Sequence, residues 1–316
     1  MTSPNLPPRS GQQFTISHGD YTAVVTELGA TLRKLTYRGK DMIASWDADK
    51  PVPCTNGELL VPFPNRIEDG VYTFEGKTYT LPIDEHEKHN AIHGYGYRAF
   101  WKLESLEEDR VALTWRTGNM KGYPFDLLVR AVFSLSDDGL QLTLSATNND
   151  TIDAPWALAI HPWIANGFGG YGDEIDGQNA QCSVTIPART HVTVNERLLP
   201  TGTEPVSGKY DLRQPTALTE QPYDDAWTDV ERDADGNTFA TLTRPDGLAV
   251  SVGGDKTITS FQMCTGTGFA PESHPAGVAI EPQTAYANAF NSGKDLIAIK
   301  PSETSSTNLY FKAEQR

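Results

Sequence analysis

The chain has 316 residues, of which 38% are apolar and 21% are charged, a composition that suits a large buried core and excludes a disordered chain. Its formal net charge of −15 would repel nucleic-acid phosphates and anionic membrane surfaces, so we expect neither nucleic acid nor a membrane as a partner. No run of about 18 apolar residues is present, which argues against a membrane-spanning helix.

The cysteines and the N-terminal segment bear on the compartment. Cys54, Cys182 and Cys264 are far apart and form no CxxC pair, which excludes a zinc ribbon and suits a reducing environment. Residues 1–10 are rich in proline and lack the apolar stretch of a secretory signal. We therefore expect a cytoplasmic protein, either a monomer or a homodimer, in which residues 1–12 form a flexible N-terminal arm.

After this arm, apolar residues recur mostly with a period of two, which predicts β-strands. Residues 72–74 and 79–81 flank Glu75-Gly76-Lys77, a sequence typical of a tight hairpin turn. The clearest alternation runs over residues 127–147, where the turn Asp137-Asp138-Gly139 separates two amphipathic runs. This stretch predicts a long hairpin with one buried face.

A further hairpin is predicted near the C-terminal end, where residues 240–242 and 248–250 flank Pro245-Asp246-Gly247. The 21 prolines and 27 glycines are spread along the chain, no linker divides it, and no convincing amphipathic helix exceeds two turns. We therefore predict one all-β domain over residues 1–316, a large antiparallel sandwich or closed sheet with few short helices.

Two residues are candidates for acid–base chemistry. Glu281 ends the apolar run of residues 277–280 and precedes a proline, so it is either a charge that reaches solvent at a strand end or a partly buried general base. His161 lies between an apolar run and Pro162-Trp163. It is either a core histidine satisfied by the backbone or a general acid in an aromatic pocket.

Other polar residues stand among proline, glycine and aromatic residues. Arg66, after Asn65, is either a structural residue or a donor to substrate hydroxyls, and His93 presents the same alternatives. Asp224 and Asp225 are either turn residues or acceptors for the hydroxyls of a sugar.

No metal site is predicted. His86 and His89 have the spacing HxxH but lie in a very polar stretch, so we interpret them as solvated loop residues. The chain also lacks a GxSxG elbow, a Walker loop and an HExxH motif.

At these clusters the sequence resembles the aldose 1-epimerase (galactose mutarotase) family. The matching segments follow the order of the family motifs: Pro64-Asn65-Arg66-Ile67 with residues 70–76, Asn90-Ala91-Ile92-His93-Gly94, His161-Pro162-Trp163, Asp224-Asp225-Ala226-Trp227, and Glu281-Pro282-Gln283-Thr284 with residues 288–293. Each match is weak alone, whereas the ordered set over residues 64–293 is specific. The chain departs from the family pattern at Trp163-Ile164 and at residues 285–288.

The resemblance implies an antiparallel β supersandwich and interconversion of the α and β anomers of a free sugar such as glucose or galactose, without a cofactor. It implies that Glu281 takes the proton of the anomeric hydroxyl and that protonated His161, on the opposite side of the hemiacetal, donates to the ring oxygen. The residues expected to hold the ring hydroxyls are Arg66, His93, Asp224 and Asn65. Trp163 or Trp227 is a candidate for the apolar face of the sugar, and at least one of the two is expected to be a core residue.

Three other functions are compatible with such a scaffold. A sugar-binding protein without activity would lack the acid–base pair. An epimerase for phosphorylated hexoses would require a basic cluster, which the segment around Arg66 does not provide. A glycoside hydrolase would use two facing carboxylates rather than a carboxylate and a histidine.

Overall fold

The computed structural model describes residues 6–170, 172 and 174–316, so residues 1–5 of the predicted arm lie outside the described residues. The last part of the arm is tied to the fold. The backbone N–H of Ser10 donates to the carbonyl oxygen of Ala48 at 3.2 Å, and that of Leu28 donates to the carbonyl oxygen of Ser10 at 3.0 Å. Residues 10–12 of the predicted arm are therefore held by backbone hydrogen bonds.

Strands dominate the described residues, and the two α-helices among them are short. The strands are β1 (Gln13–His18), β2 (Tyr21–Thr26), β3 (Leu32–Tyr37), β4 (Lys40–Asp41), β5 (Leu59–Leu60), β6 (Arg66–Glu68), β7 (Val71–Phe74), β8 (Lys77–Thr80), β9 (Asn90–Ile92), β10 (Lys102–Leu106), β11 (Arg110–Arg116), β12 (Leu127–Ser136), β13 (Gly139–Asn148), β14 (Ala154–Trp156), β15 (Ala159–Ile160), β16 (Trp163–Ala165), β17 (Ser183–Thr185), β18 (Ala188–Val194), β19 (Pro200–Pro205), β20 (Thr216–Ala217), β21 (Asp224–Val230), β22 (Thr238–Thr243), β23 (Leu248–Gly254), β24 (Ser260–Cys264), β25 (Gly277–Gln283), β26 (Ile297–Ile299) and β27 (Thr304–Gln315). The helices are α1 (Ile175–Asn179) and α2 (Ala289–Ser292), and short 3₁₀ turns span Pro53–Thr55, Gly96–Arg98 and Gly208–Tyr210.

The larger sheet has nine strands in the order β10-β11-β12-β13-β27-β23-β22-β17-β20. It contains the predicted long hairpin, in which Leu135 of β12 lies opposite Leu140 of β13. The hairpins predicted around residues 75–77 and 245–247 are also present, as β7–β8 and β22–β23. The predictions of an all-β, antiparallel fold with few short helices are confirmed.

The second large sheet carries the residues that the sequence singled out. Its strands follow the order β19-β18-β21-β24-β25-β15-β5, and β16 also pairs with β25. Strand β25 lies inside this sheet and is buried along its whole length. A strand buried on both faces accommodates a charged side chain only if the charge is paired or neutralised, which makes Glu281 of β25 an unusual core residue.

The last strands of the chain complete sheets that the middle of the chain begins. Strand β27 pairs with β13 and β23, and β26 pairs with β14. This interleaving supports our proposal of a single domain.

None of the helices in the described part of the chain has the length and hydropathy needed to cross a bilayer.

Candidate active site

A cavity of about 270 Å³ opens beside β25 and collects the residues that the sequence predicted for the site. The six predicted residues that line it are Asn65, Arg66, His93, His161, Asp224 and Glu281. They come from segments that are more than 200 residues apart in the chain, such as Asn65 and Glu281. The fold therefore brings these six residues into one cavity.

Glu281 is held in the sheet by its strand. In the antiparallel register it lies directly opposite Gln262 of β24, and on the other side β16 pairs Trp163 with Ala279 of the same strand. The side chain is 2% exposed. Of the two alternatives for Glu281, the structure shows the buried carboxyl and not the charge that reaches solvent.

His161 lies in the short connection between β15 and β16. Its backbone N–H donates to the carbonyl oxygen of Glu58 at 3.1 Å, and its carbonyl oxygen accepts from the N–H of Gly57 at 2.8 Å. These contacts fix the backbone so that the ring reaches the carboxyl of Glu281, with 3.3 Å between His161 Nε2 and Glu281 Oε1.

This contact corrects one part of the expectation. The two groups were expected on opposite sides of the hemiacetal, but they are neighbours on one wall of the cavity. Such neighbours can still serve both oxygens of a hemiacetal, because the anomeric hydroxyl and the ring oxygen are bonded to the same carbon. The proton donor and the acceptor therefore need not flank the sugar.

Burial governs the protonation of this pair. Loss of solvent raises the pKa of Glu281 to about 8, an effect that Asp224 reinforces and that a hydrogen bond from Gln283 opposes. Burial lowers the pKa of His161 to about 4. At neutral pH these two shifts favour a protonated Glu281 beside a neutral His161, so the pair holds one transferable proton.

His93 and Asn65 form a tight backbone arrangement at the cavity edge. Both have positive φ values, 63° and 55°, a conformation that histidine and asparagine adopt more readily than most residues. The backbone N–H of Asn65 donates to His93 Nδ1 at 3.2 Å. Burial lowers the pKa of His93 well below its ordinary value, which favours the neutral ring. Because Nδ1 accepts the hydrogen bond from Asn65, the proton of the neutral ring belongs on Nε2. His93 is therefore a hydrogen-bond donor of fixed orientation.

Arg66 is held by an ion pair that the sequence did not indicate. Its Nε donates to Glu85 Oε2 at 2.9 Å and its Nη2 donates to Glu85 Oε1 at 2.9 Å. Both side chains are largely buried, at 11% and 17% exposed. The bidentate geometry orients the guanidinium plane. Nη1 also donates to Asn65 Oδ1 at 3.2 Å, and one N–H on each Nη remains for another acceptor.

Asp224 lines the cavity and Asp225 does not. Gln262 Nε2 donates to Asp224 Oδ1 at 2.8 Å, and Asn65 Nδ2 donates to Gln262 Oε1 at 3.3 Å. Asp225 instead contacts His191 Nε2 at 2.9 Å. Of the two aspartates that the sequence left open, Asp224 is the one in position to meet a ligand.

Apolar groups complete the walls. Trp163 lines the cavity and packs edge-on against Phe269, with ring centroids 6.2 Å apart. Trp227 is fully buried, and its Nε1 donates to the carbonyl oxygen of Tyr210 at 2.8 Å, so it is a core residue. Cys54 and Cys264 also line the cavity.

Three polar residues of the site had no assigned role. Gln262 lies in a strand without a motif, and Glu85 lies in the same very polar stretch as His86 and His89. Gln283 belongs to the segment that begins with Glu281, but the motif assigns no role to its side chain. His86 and His89 are exposed as expected, and the described residues contain no group of three or more His, Cys, Asp or Glu side chains suited to hold a metal ion.

Comparisons with known proteins agree with this geometry. The family model described as aldose 1-epimerase matches residues 12–312. The uncharacterized protein YihR of Escherichia coli K12 is 30% identical over 295 residues, which cover 92% of this chain and 90% of that protein. The galactose mutarotase of Rattus norvegicus is 32% identical over 160 residues, which cover 49% of this chain and 44% of that protein.

A solved structure of a homologue shows the same fold. The GalM/aldose epimerase homologue from C. elegans superposes with a TM-score of 0.81 at 19% identity, covering 96% of this chain and 99% of that one. The predicted galactose mutarotase-like β-sandwich is thereby confirmed.

Proposed function

The chain belongs to the aldose 1-epimerase family, and from that premise we propose that it is a mutarotase that interconverts the α and β anomers of a free hexose such as glucose or galactose. The observation that carries this proposal is the 3.3 Å contact between His161 Nε2 and Glu281 Oε1 in a cavity lined by hydrogen-bonding groups. At about 270 Å³ the cavity is just below the range of about 300–1,000 Å³ that is usual for pockets of drug-sized ligands, which suits a small sugar.

The proposed reaction uses the one proton of the pair. The pair has two forms with the same number of protons. In the first form Glu281 is protonated and His161 is neutral, and in the second Glu281 is ionised and His161 is protonated. The forms differ by the transfer of one proton across the contact. In the second form Glu281 accepts the proton of the anomeric hydroxyl while His161 donates its proton to the ring oxygen, and the bond between C1 and the ring oxygen breaks. The aldehyde rotates about C1–C2, and closure on its other face returns both protons.

The remaining polar groups would hold the sugar. Neutral His93 and the remaining N–H groups of Arg66 are donors to hydroxyl oxygens, and Asp224 presents an acceptor. Asn65 would contribute its second amide N–H, because its Oδ1 already accepts from the backbone N–H and Nη1 of Arg66 and its first amide N–H donates to Gln262. Such a set orients the ring and disfavours analogues that lack a matching hydroxyl, since a buried partner would then be left unpaired.

The charges of the cavity favour an uncharged hexose over a phosphorylated one. Among its described lining residues, Arg66 is the single Lys or Arg, and its charge is already paired with Glu85. A phosphate would also meet the carboxyls of Asp224 and Glu281.

The unpaired thiols of Cys54, Cys182 and Cys264 support the further proposal of a reducing, cytoplasmic location.

Polarimetry on freshly dissolved α-glucose and α-galactose tests the proposed activity. We expect the optical rotation to reach equilibrium much faster than in the protein-free blank, and we expect glucose 6-phosphate to be a poor substrate. Binding of glucose in a calorimeter without any acceleration of mutarotation would instead identify a non-catalytic sugar-binding protein. Rapid mutarotation of the 6-phosphate alone would identify an epimerase for phosphorylated sugars.

A further inference from the structure

Gln283 lies behind the catalytic carboxyl and does not line the cavity. Its Nε2 donates to Glu281 Oε2 at 3.2 Å, whereas the other oxygen of the same carboxyl, Oε1, is the one that lies next to His161. The two oxygens of Glu281 thus have separate partners. A carboxyl that is held in this way cannot rotate freely, so Oε1 stays beside the histidine.

The backbone around Gln283 is fixed on both sides. In the sheet, Gln283 pairs with Ser260 of β24 and with Ala159 of β15, and its carbonyl oxygen accepts from the N–H of Thr259 at 3.0 Å. Gln283 and Glu281 are two residues apart in one strand, so their side chains project from the same face. The amide therefore has a rigid base from which to orient the carboxyl.

Packing alone does not account for this glutamine. The residue is fully buried, and its side-chain oxygen Oε1 has no hydrogen-bond partner among the described residues. A buried amide oxygen without a partner reduces stability, and an apolar side chain of similar length would avoid that loss. The contact with Glu281 is the polar interaction that this side chain makes.

We propose that Gln283 is a positioning residue of the epimerase site, which holds Glu281 Oε1 against His161 and stabilises the ionised form of that carboxyl. This inference rests on the proposed mutarotase function. The amide donates to the carboxylate without touching the sugar, so it should influence catalysis through the orientation and the acidity of Glu281 rather than through binding of substrate.

Glu281 also faces other groups that affect its proton affinity. They come from the neighbouring elements and are His161 between β15 and β16, Asp224 of β21, Arg66 of β6 and Cys264 of β24. Replacement of Gln283 leaves all of these in place, so a change in the titration of Glu281 can be assigned to the lost amide.

The test compares the wild-type protein with the variants Gln283→Met and Gln283→Glu. We expect kcat for mutarotation to fall about tenfold while KM changes little, because the carboxyl is misplaced but the sugar contacts remain. The alkaline limb of the pH–rate profile should move up by about one pH unit in Gln283→Met, as expected when a hydrogen bond to a charged group is lost. Gln283→Glu keeps the shape of the side chain and should move the limb in the same direction, since two adjacent carboxyls share a proton.

A second measurement does not depend on activity. In protein labelled with ¹³C at the glutamate carboxyls, the resonance that disappears in Glu281→Gln identifies Glu281, and its titration should shift upward in both Gln283 variants. The matched control is Ser260→Ala, which removes a buried hydroxyl without a partner at the position opposite Gln283 and should leave the titration unchanged.

The two measurements separate failure of this inference from failure of the proposed function. Absence of mutarotation in the wild-type protein would contradict the function, while the carboxyl titration would still test the role of Gln283. An unchanged titration of Glu281 in either folded Gln283 variant would overturn the inference, and so would a shift of equal size in Ser260→Ala.

Discussion

Gln262 joins two walls of the cavity, because its Nε2 donates a 2.8 Å hydrogen bond to Asp224 Oδ1. Its own Oε1 accepts from Asn65 at 3.3 Å, and its backbone lies opposite Glu281 in the register of β24 and β25. One amide thus connects two residues proposed to hold sugar hydroxyls and does so next to the proposed acid–base pair. The relative positions of these groups depend on a residue that belongs to no motif.

Replacement of Gln262 by methionine should weaken sugar binding. The change removes the hydrogen bonds to both Asp224 and Asn65, so we expect KM to rise roughly tenfold, with a smaller effect on kcat. Initial mutarotation rates over a range of sugar concentrations give both constants. Gln141→Met is the control, because Gln141 is exposed on β13 of the other large sheet. A KM within twofold of wild type in Gln262→Met would contradict the role assigned to Gln262.

The ion pair between Glu85 and Arg66 should matter for sugar binding. In Glu85→Gln the guanidinium loses its bidentate partner, so we expect KM to rise by about 10- to 100-fold, in line with hydrogen bonds to charged groups of about 1.5–3 kcal/mol. Asp126→Asn is a matched control, since Asp126 forms a similar pair with the exposed Arg116. Equal kinetic effects of the two substitutions would show that the pair with Arg66 has no special role.

The acid–base pair itself can be tested by two conservative substitutions. We expect Glu281→Gln and His161→Asn each to lower kcat by about 10²–10⁴-fold, the usual contribution of a positioned acid or base. The double variant should be little worse than either single one, because the two groups act through one proton. Circular dichroism and thermal unfolding serve as controls for the fold. Substantial activity in either single variant would remove that residue from the mechanism.

Burial of carboxyls should make the stability of the protein decrease at alkaline pH. Burial raises the pKa of Glu281 to about 8 and that of Glu58 to about 8, from an ordinary value of 4.5. The folded protein therefore retains protons that the unfolded chain releases, so each group lowers the free energy of unfolding by ~1.4 kcal/mol per pH unit as the pH rises toward 8. Below pH 6.5 the lowered pKa of His161 makes the free energy of unfolding rise with pH instead. A net decrease in the free energy of unfolding is therefore expected from about pH 6.5 to 8.

Urea unfolding at several pH values measures this decrease. Glu58 does not line the cavity, so Glu58→Gln should reduce the pH dependence of stability without loss of catalysis. Glu281→Gln should reduce it too, and should also lower kcat by about 10²–10⁴-fold. A free energy of unfolding that stays constant between pH 6.5 and 8 in the wild-type protein would contradict the proposed proton uptake by the buried carboxyls.

The sequence predicts the strands and the identity of the site residues better than their arrangement. Alternating apolar residues between 127 and 147 predict a hairpin because each side chain must face either the core or solvent. The ordered motifs identify Arg66, His93, His161 and Glu281 because these residue types recur together in a known family. Neither signal contains distances, so the adjacency of His161 and Glu281 could not be predicted.

The sequence did not indicate Glu85 and Gln262 as residues of the site, and the reason is physical. Glu85 is surrounded in sequence by charged and polar residues, which indicates a solvated loop, and only the fold shows that it pairs with Arg66 below the surface. Gln262 is one polar residue among the buried residues of β24, and its partners Asn65 and Asp224 come from distant segments. Contacts between distant segments follow from sheet register, which a single sequence does not specify.

The pH dependence of anomer exchange tests the central claim most directly. It can be measured as kcat/KM by NMR exchange spectroscopy on equilibrated α- and β-glucose, after subtraction of the protein-free rate. Because the pair holds one transferable proton between the pKa of His161 at about 4 and that of Glu281 at about 8, we predict a plateau between these values and a loss of rate on both sides. Exchange that continues undiminished well above pH 8, or that is equally fast in Glu281→Gln, would contradict the proposal that one proton shared by Glu281 and His161 opens the sugar ring.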